Sequence, residues 1–319
     1  TGGTGFAGRY AIRRLIGAGM CVCALVREKA KLLEVLKGDV TSPLLRVIEV
    51  ANPEKLSVEE LKGIIEANRI TTVLHIAGIV GERDVAWERY FEVNVLWTRN
   101  LALAFLRANV SRNRFIFTSS VGVYGTIPKE VPTGEQTSYD PDGKYHRSKV
   151  FAEQELFSLW ESSCLPLVVL RPTIMYGDGD TGFLFKFFSL MKKKRFPLCA
   201  SNPSIHLLDV ELLADVYTGV INAAAVPDGS VFNVADPMPV KMGVLCQYIA
   251  DSIDAKFWRI PYLFFALLTR LCALRLQYAV SLKLISKTWV YDVDSLFSSF
   301  KLDKSDTIEA LGRKYLKWY

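Results

Sequence analysis

The stretch Thr1-Gly2-Gly3-Thr4-Gly5-Phe6-Ala7-Gly8 decides the fold, and a helical pattern with Tyr10, Ile12 and Leu15 follows it directly. Glycines at positions 2, 5 and 8 let a backbone turn tightly and approach a pyrophosphate without Cβ atoms in the way. A helix that begins there presents free N–H groups and the positive end of its dipole to an anion. The stretch therefore predicts a phosphate-binding turn.

After this turn, short apolar runs alternate with helical patterns. This alternation predicts a parallel, doubly wound α/β sheet. The runs are rich in Val, Ile and Leu, as in strands that are covered on both faces. We expect strands at residues 21–26, 45–50, 72–76, 114–118, 167–170 and 230–234, and helices at residues 8–16, 58–68, 87–108 and 145–162.

The pattern loosens from about Met175, where the turn cluster Gly177-Asp178-Gly179-Asp180 follows. We expect irregular chain at residues 197–203 and mostly helices from Met242 onward. The fold class is thus a Rossmann-type doubly wound parallel sheet with a smaller, mostly helical substrate-binding lobe. We assign residues 1–172 and 207–235 to an NAD(P)-binding domain, whose first strand is missing because no apolar run precedes the glycines, and residues 173–206 and 236–319 to the lobe.

The composition is that of an ordinary globular protein, with 50% hydrophobic and 23% charged residues in 319 and a net charge of +6. The basic run at residues 192–195 is typical of a solvated helix end, and no recognisable nucleic-acid module accompanies it. Arginines interrupt the apolar segment 257–285, whose longest uncharged stretch, 260–269, is far shorter than the roughly 20 residues of a membrane span. We therefore expect neither a nucleic-acid partner nor a transmembrane segment.

Six cysteines and three histidines are scattered along the chain, and none has the spacing of zinc ligands. Scattered cysteines are typical of reduced thiols in a cytoplasmic protein. We expect a cytoplasmic location and no metal.

Tyr145 and Lys149 are four residues apart in a helical pattern, so their side chains share one face. A lysine there is expected to lower the tyrosine's pKa from about 10 and to prepare it for proton exchange with a substrate hydroxyl. The spacing alone is common on amphipathic helices. It gains weight from Ser120, which ends the apolar strand 115–118 at the edge where such sheets bind ligands. We predict Ser120, Tyr145 and Lys149 as the catalytic residues.

The residue that follows the strand expected at 21–26 is where such a sheet contacts the adenosine ribose. An acidic residue there suits the ribose hydroxyls of NAD, whereas an arginine suits the 2′-phosphate of NADP. The chain has Val26-Arg27 at this point. Arg27 favours NADP over NAD, although it is equally the kind of surface charge that begins a loop.

Taken together, these motifs resemble the extended short-chain dehydrogenases/reductases of the NAD-dependent epimerase/dehydratase family. The resemblance implies an NAD(P)-dependent enzyme and a homodimer formed through helices 87–108 and 145–162. Asn94 either orders the helix behind the site or is an ordinary helical polar residue. The matching pieces are residues 1–8, 74–78, Asn94, 117–125, 145–149, 152–153, 170–172 and 213–215. The resemblance implies cofactor contacts at Gly2, Thr4, Gly5, Phe6, Arg27, Glu49, Val50, Ala77, Gly78, Tyr145, Lys149 and Pro172.

The substrate stays open between alternatives. Nucleotide-sugar members of the family often carry an asparagine and an arginine where this chain has Ile174 and Ile205. Apolar residues at 183–188 and 262–276 could instead cover a steroid or another apolar alcohol, although core packing explains such residues equally well. We place a nucleotide-sugar 4-epimerase or 4-keto reductase first, a 3β-hydroxysteroid-dehydrogenase-like enzyme second, and a non-catalytic dinucleotide-binding redox sensor third.

Overall fold

A parallel sheet forms the centre of the molecule. The computed structural model describes residues 1–36, 42–81, 85–192, 197–199, 202–254, 256, 258–261, 264 and 283–319. The strands are β1 (Val22–Val26), β2 (Leu45–Glu49), β3 (Thr72–His75), β4 (Arg114–Thr118), β5 (Leu167–Pro172), β6 (Met175–Tyr176), β7 (Pro197–Cys199), β8 (Ser204–Ile205), β9 (Leu208–Asp209), β10 (Ser230–Val234), β11 (Val240–Lys241) and β12 (Trp258–Ile260). Strands β10, β5, β4 and β3 pair in that order and all run parallel, and β1 and β2 form a separate parallel pair.

Strands β1 and β3 face each other across a groove of about 890 Å³, with helix residues Ala11, Ile12 and Leu15 in its wall. The expectation that the first strand of the sheet is missing stays a prediction.

Helices cover both faces of the sheet. Neighbouring residues of β4 alternate between the two sides. Phe115 and Phe117 pack under the helices at residues 58–67, 97–107 and 144–163, whereas Ile116 packs under the helices at residues 6–17 and 210–222. Burial on both faces confirms the doubly wound fold class. The helices are α1 (Phe6–Gly17), α2 (Lys29–Leu36), α3 (Val58–Ala67), α4 (Trp87–Tyr90), α5 (Trp97–Arg107), α6 (Lys144–Ser163), α7 (Phe183–Lys192), α8 (Val210–Asn222), α9 (Met242–Ser252), α10 (Asp294–Ser299) and α11 (Thr307–Ala310).

The helix expected at residues 87–108 is not a uniform α-helix. Helices α4 and α5 flank a π-helical segment, Phe91–Leu96, that runs continuously between them. Such wide turns are frequent at functional sites. Here the segment carries Asn94, whose side chain bonds to the backbone of the neighbouring loop at Ile79.

The smaller lobe contains short strands as well as helices. The expectation of irregular chain at residues 197–203 is wrong for residues 197–199, because β7 pairs in parallel with β12. In addition, β8 pairs antiparallel with β11. These partners are distant in sequence, so no local pattern announces the pairing. The apolar stretch 262–276 lies, apart from Phe264, outside the described residues. The domain boundaries remain a prediction.

Within the described parts of the chain, no helix has the length and apolar character needed to cross a membrane.

A buried ion pair joins helix α6 to strand β5. The Arg171 guanidinium donates to both carboxylate oxygens of Glu153, with Nε–Oε1 at 3.0 Å and Nη2–Oε2 at 2.6 Å. Their side chains are 4% and 0% exposed. Tyr139 also donates to Glu153, at 2.7 Å. Because both charged groups of the pair have hydrogen-bond partners, the pair fixes α6 against the sheet next to Lys149.

We expect Glu153→Gln to lower the free energy of unfolding by about 3 kcal/mol, because it leaves a buried guanidinium without its counter-charge. Glu155→Gln on the same helix is the matched control. Its partner Arg99 is 3.1 Å away, and both side chains are more than 40% exposed, so we expect a change of less than about 0.5 kcal/mol. Urea denaturation measures both values. Equal effects of the two substitutions would contradict this account.

Candidate active site

The glycine turn requires glycine at two positions. Gly2 has φ +80°, and a Cβ there would be 2.7 Å from the backbone nitrogen of Ala77. A Cβ at Gly8 would overlap the carbonyl oxygen of Gly2. The turn is closed by Gly5 N donating to Gly2 O at 2.9 Å. Helix α1 therefore approaches the end of β3 more closely than any side chain would allow.

The N-terminus of α1 fits a diphosphate. Gly5 caps the helix in an extended conformation and, having no side chain, offers no capping hydrogen bond to its N–H groups. Those groups and the helix dipole favour an anion. Thr4 and Phe6 flank Gly5, and the Phe6 ring packs edge-on against Tyr10. The predicted contacts Gly2, Thr4, Gly5 and Phe6 thus form one cradle, which matches the phosphates of a dinucleotide.

Lys149 is buried at the carboxyl end of β4. It is 3% exposed, its Nζ donates to Thr118 O at 2.7 Å, and it lies 4.7 Å from the centre of the Phe117 ring. Burial lowers the pKa of Lys149 to about 8, against the attraction of Glu153. Gly78 is next to it, since a Cβ on Gly78 would be 3.5 Å from Nζ. Lys149 therefore lies between the end of β4 and the loop that continues from β3.

Ser120 and Tyr145 meet at the same strand end. Ser120 follows β4 and its Oγ accepts from Gly122 N at 3.0 Å, which starts a short 3₁₀ turn, Val121–Tyr124. Burial raises the pKa of Tyr145 to about 12, although a hydrogen bond with Ser120 acts in the opposite direction. The two hydroxyls are therefore neighbours, as the sequence predicts.

The expected effect of Lys149 on Tyr145 is wrong for this arrangement. The Lys149 ammonium is 6.0 Å from the centre of the Tyr145 ring and points to a carbonyl. Desolvation of the phenol dominates, so the pKa of Tyr145 is raised rather than lowered. Tyr145 is therefore neutral at neutral pH, and its hydroxyl lies next to that of Ser120.

Asn94 connects the two sides of this site. Its Oδ1 accepts from Ile79 N at 2.8 Å, and its Nδ2 donates to Ile79 O at 3.0 Å and to Ser148 Oγ at 2.8 Å. Asn94 therefore holds the loop that contains Gly78 against the helix that contains Lys149. Of the two alternatives for this residue, the ordering role is the one that its contacts support.

The predicted adenosine contacts lie at the ends of β1 and β2. Glu49 is the exposed last residue of β2, and Val50 N bonds to Val26 O at 2.9 Å. Arg27 is 3.6 Å from the carboxylate of Glu54, a buried residue that sequence reasoning missed. Its signal was weak, because Glu54 lies in an ordinary Pro-Glu-Lys turn. Pro172 ends β5, where it pairs with Val234.

The smaller lobe has apolar residues at the two positions where a nucleotide-sugar enzyme was expected to carry an asparagine and an arginine. Ile205 is fully buried, and Ile174 packs against the apolar cluster of this lobe. In α7, Leu184, Phe187 and Phe188 are buried in the same cluster. Core packing, rather than substrate covering, thus accounts for most of the apolar stretch 183–188.

The model of the NAD dependent epimerase/dehydratase family matches residues 1–235. The chain belongs to this family. Among curated relatives, a UDP-glucose 4-epimerase of Vibrio cholerae is 30% identical over 70% of this chain and 65% of its own length. The matched part thus covers just under two thirds of that relative. A 3 beta-hydroxysteroid dehydrogenase/Delta 5-->4-isomerase of Mycobacterium tuberculosis is 28% identical over 81% of the chain and 69% of its own length.

The fold of the family is also found among solved structures. UDP-glucuronic acid 4-epimerase from Bacillus cereus, in complex with NAD, has a TM-score of 0.77 and 14% identity, and the match covers 100% of this chain and 98% of that one. Family and fold are thereby confirmed. The preference for NADP gains no support, since the family is described as NAD dependent. No cluster of metal ligands occurs among the described residues.

We expect Gly8→Ala to weaken NADH binding at least about tenfold, because the added methyl group pushes α1 away from the turn. Gly17→Ala at the other end of α1 is the control, since a Cβ there meets nothing within 4 Å. Quenching of intrinsic fluorescence by NADH measures both dissociation constants. A folded Gly8→Ala variant with an unchanged Kd would contradict the role given to this turn.

Proposed function

We propose that this protein catalyses the reversible oxidation of a secondary alcohol to a ketone, using NAD. The observation that carries the proposal is the meeting of Ser120, Tyr145 and Lys149 at the end of β4, next to the glycine turn. Hydride transfer at an alcohol carbon needs three groups from a protein: a proton donor, a hydroxyl that holds the substrate oxygen, and a cation.

Each group has a separate task in this proposal. Tyr145 exchanges the hydroxyl proton with the substrate oxygen, and Ser120 holds that oxygen in position. Lys149 would hold the ribose next to the nicotinamide when the cofactor is bound. When bound at the glycine turn, the nicotinamide cofactor would supply the hydride acceptor as NAD and the hydride donor as NADH. An epimerase returns the hydride to the opposite face of the ketone, whereas a dehydrogenase or reductase releases the product.

The choice of NAD over NADP has two supports. The family is described as NAD dependent, and solved neighbours such as the epimerase from Bacillus cereus contain NAD. The proximity of Glu54 to Arg27 also weakens the argument that an arginine at this position favours a 2′-phosphate.

A nucleotide sugar is our first candidate substrate, for a 4-epimerase or 4-keto reductase. Its support is the UDP-glucose 4-epimerase among the relatives. An apolar alcohol, as in a 3β-hydroxysteroid dehydrogenase, is the second candidate. Its support is specific: Ile205 is buried and Ile174 packs in the apolar cluster, so neither offers a charged contact to a diphosphate.

A homodimer through α4, α5 and α6 is part of the proposal. Trp87, Phe91 and Phe151 form an aromatic cluster between α4 and α6. Leu96 and Phe151 are each 39% exposed, as is typical of apolar surfaces that a second copy covers. The cytoplasmic location stays a prediction.

The test is a panel of UDP-glucose, UDP-galactose and 3β-hydroxysteroids, with nicotinamide absorbance and product chromatography as readouts. For the active substrate, we expect Tyr145→Phe to lower kcat by about 10²- to 10⁴-fold, because the proton donor is lost. We expect a much smaller change in the Kd for NADH, because the aromatic ring remains. Tyr248→Phe, on α9 in the smaller lobe, is the control and keeps its activity.

The panel also separates the alternatives. Turnover of a steroid alone selects the second substrate class. NADH binding without turnover of any alcohol or ketone in the panel, and without any effect of Tyr145→Phe, contradicts the enzyme proposal and favours the redox sensor.

A further inference from the structure

Four charged side chains meet beyond the ends of β1 and β2. Arg27 follows β1, and its Nη2 is 3.6 Å from Glu54 Oε2. Arg89 on α4 donates from Nη2 to Glu54 Oε1 at 2.5 Å and from Nη1 to Glu92 Oε2 at 2.7 Å. The two arginines and two glutamates balance in charge, so Arg27 presents no excess positive charge at this edge.

Glu54 is the buried member of this group. Its side chain is 1% exposed, whereas that of Arg27 is 54% exposed. Burial opposes ionisation, but the hydrogen bond from Arg89, its own backbone and the nearby Arg27 outweigh it and lower the pKa of Glu54. Within the described ranges, Oε2 has no hydrogen-bond partner. A fixed negative charge with a free acceptor oxygen therefore lies next to Arg27.

This position bears on the choice of dinucleotide, since the residues after β1 are where a doubly wound sheet holds the adenosine ribose. The 2′-hydroxyl of NAD is neutral and can donate a hydrogen bond. The 2′-phosphate of NADP carries negative charge and mainly accepts. A carboxylate at this edge repels the phosphate directly and also competes with it for the guanidinium of Arg27.

We propose that Glu54 is a specificity-determining residue, which pairs with Arg27 and thereby makes the site prefer NAD to NADP. The proposal rests on the dinucleotide binding inferred under the proposed function. It explains why a chain of an NAD-dependent family has an arginine at a position where arginine otherwise favours NADP. Arg89 is a positioning residue, because it holds the carboxylate in place from α4.

The experiment measures Kd for NADH and for NADPH by fluorescence titration, without any substrate. We expect the unsubstituted protein to bind NADH more tightly. Glu54→Gln keeps the size and the acceptor oxygen but removes the charge, and we expect it to shift the ratio of the two Kd values toward NADPH by at least about tenfold. Glu59→Gln is the control, because Glu59 is exposed on α3 and pairs with Lys62 and Arg107 instead.

Tighter binding of NADPH by the unsubstituted protein overturns the proposal, as does an unchanged ratio in a folded Glu54→Gln variant. Should that variant fail to fold, Arg27→Gln replaces it. This substitution removes the cation and leaves the buried carboxylate of Glu54 at this edge, so we expect the ratio of the two Kd values to shift further toward NADH by about tenfold. An unchanged ratio would contradict the proposal. Binding of neither dinucleotide contradicts the proposed function instead, so the two failures are distinguishable.

Discussion

The burial of one ammonium group is the constraint on which the rest of the site depends. Removing a lysine from water is costly unless polar groups replace the lost hydration. Lys149 meets this need with the Thr118 carbonyl at 2.7 Å, the face of Phe117 and the charge of Glu153 one helical turn away. All three lie at the carboxyl end of β4 or on α6, so the cation has a single place in the fold.

The elements around Lys149 maintain that place. Glu153 is itself fixed by Arg171, which joins α6 to β5. Asn94, on the π-helical turn, joins α6 to the loop after β3 through Ser148 and Ile79. The glycine turn approaches that same loop at Ala77. This buried polar network links α6 to β5 and to the loop after β3, and a shift of any member leaves a buried group unsatisfied.

Sequence reasoning succeeded where the cause is local. The central strands were predicted to within two residues because each is a short apolar run buried on both faces. The glycine turn was predicted from its spacing together with the helix and the strand that follow it. It failed where the cause is a distant partner. The pairing of β7 with β12, the wide turn around Asn94 and the carboxylate beside Arg27 all depend on chain that is remote in sequence. The expectation that the pKa of Tyr145 is lowered was wrong for a similar reason. The spacing places the lysine nearby, but it does not show that the phenol is removed from water.

The central claim is that Ser120, Tyr145 and Lys149 form one proton-exchange site facing a dinucleotide held by the glycine turn. A crystal structure with bound NADH tests it most directly. The account predicts the pyrophosphate at the N-terminus of α1, the nicotinamide ribose at Lys149 Nζ, and the hydroxyls of residues 120 and 145 beside the nicotinamide ring. A dinucleotide bound elsewhere, or a nicotinamide out of reach of both hydroxyls, would contradict it.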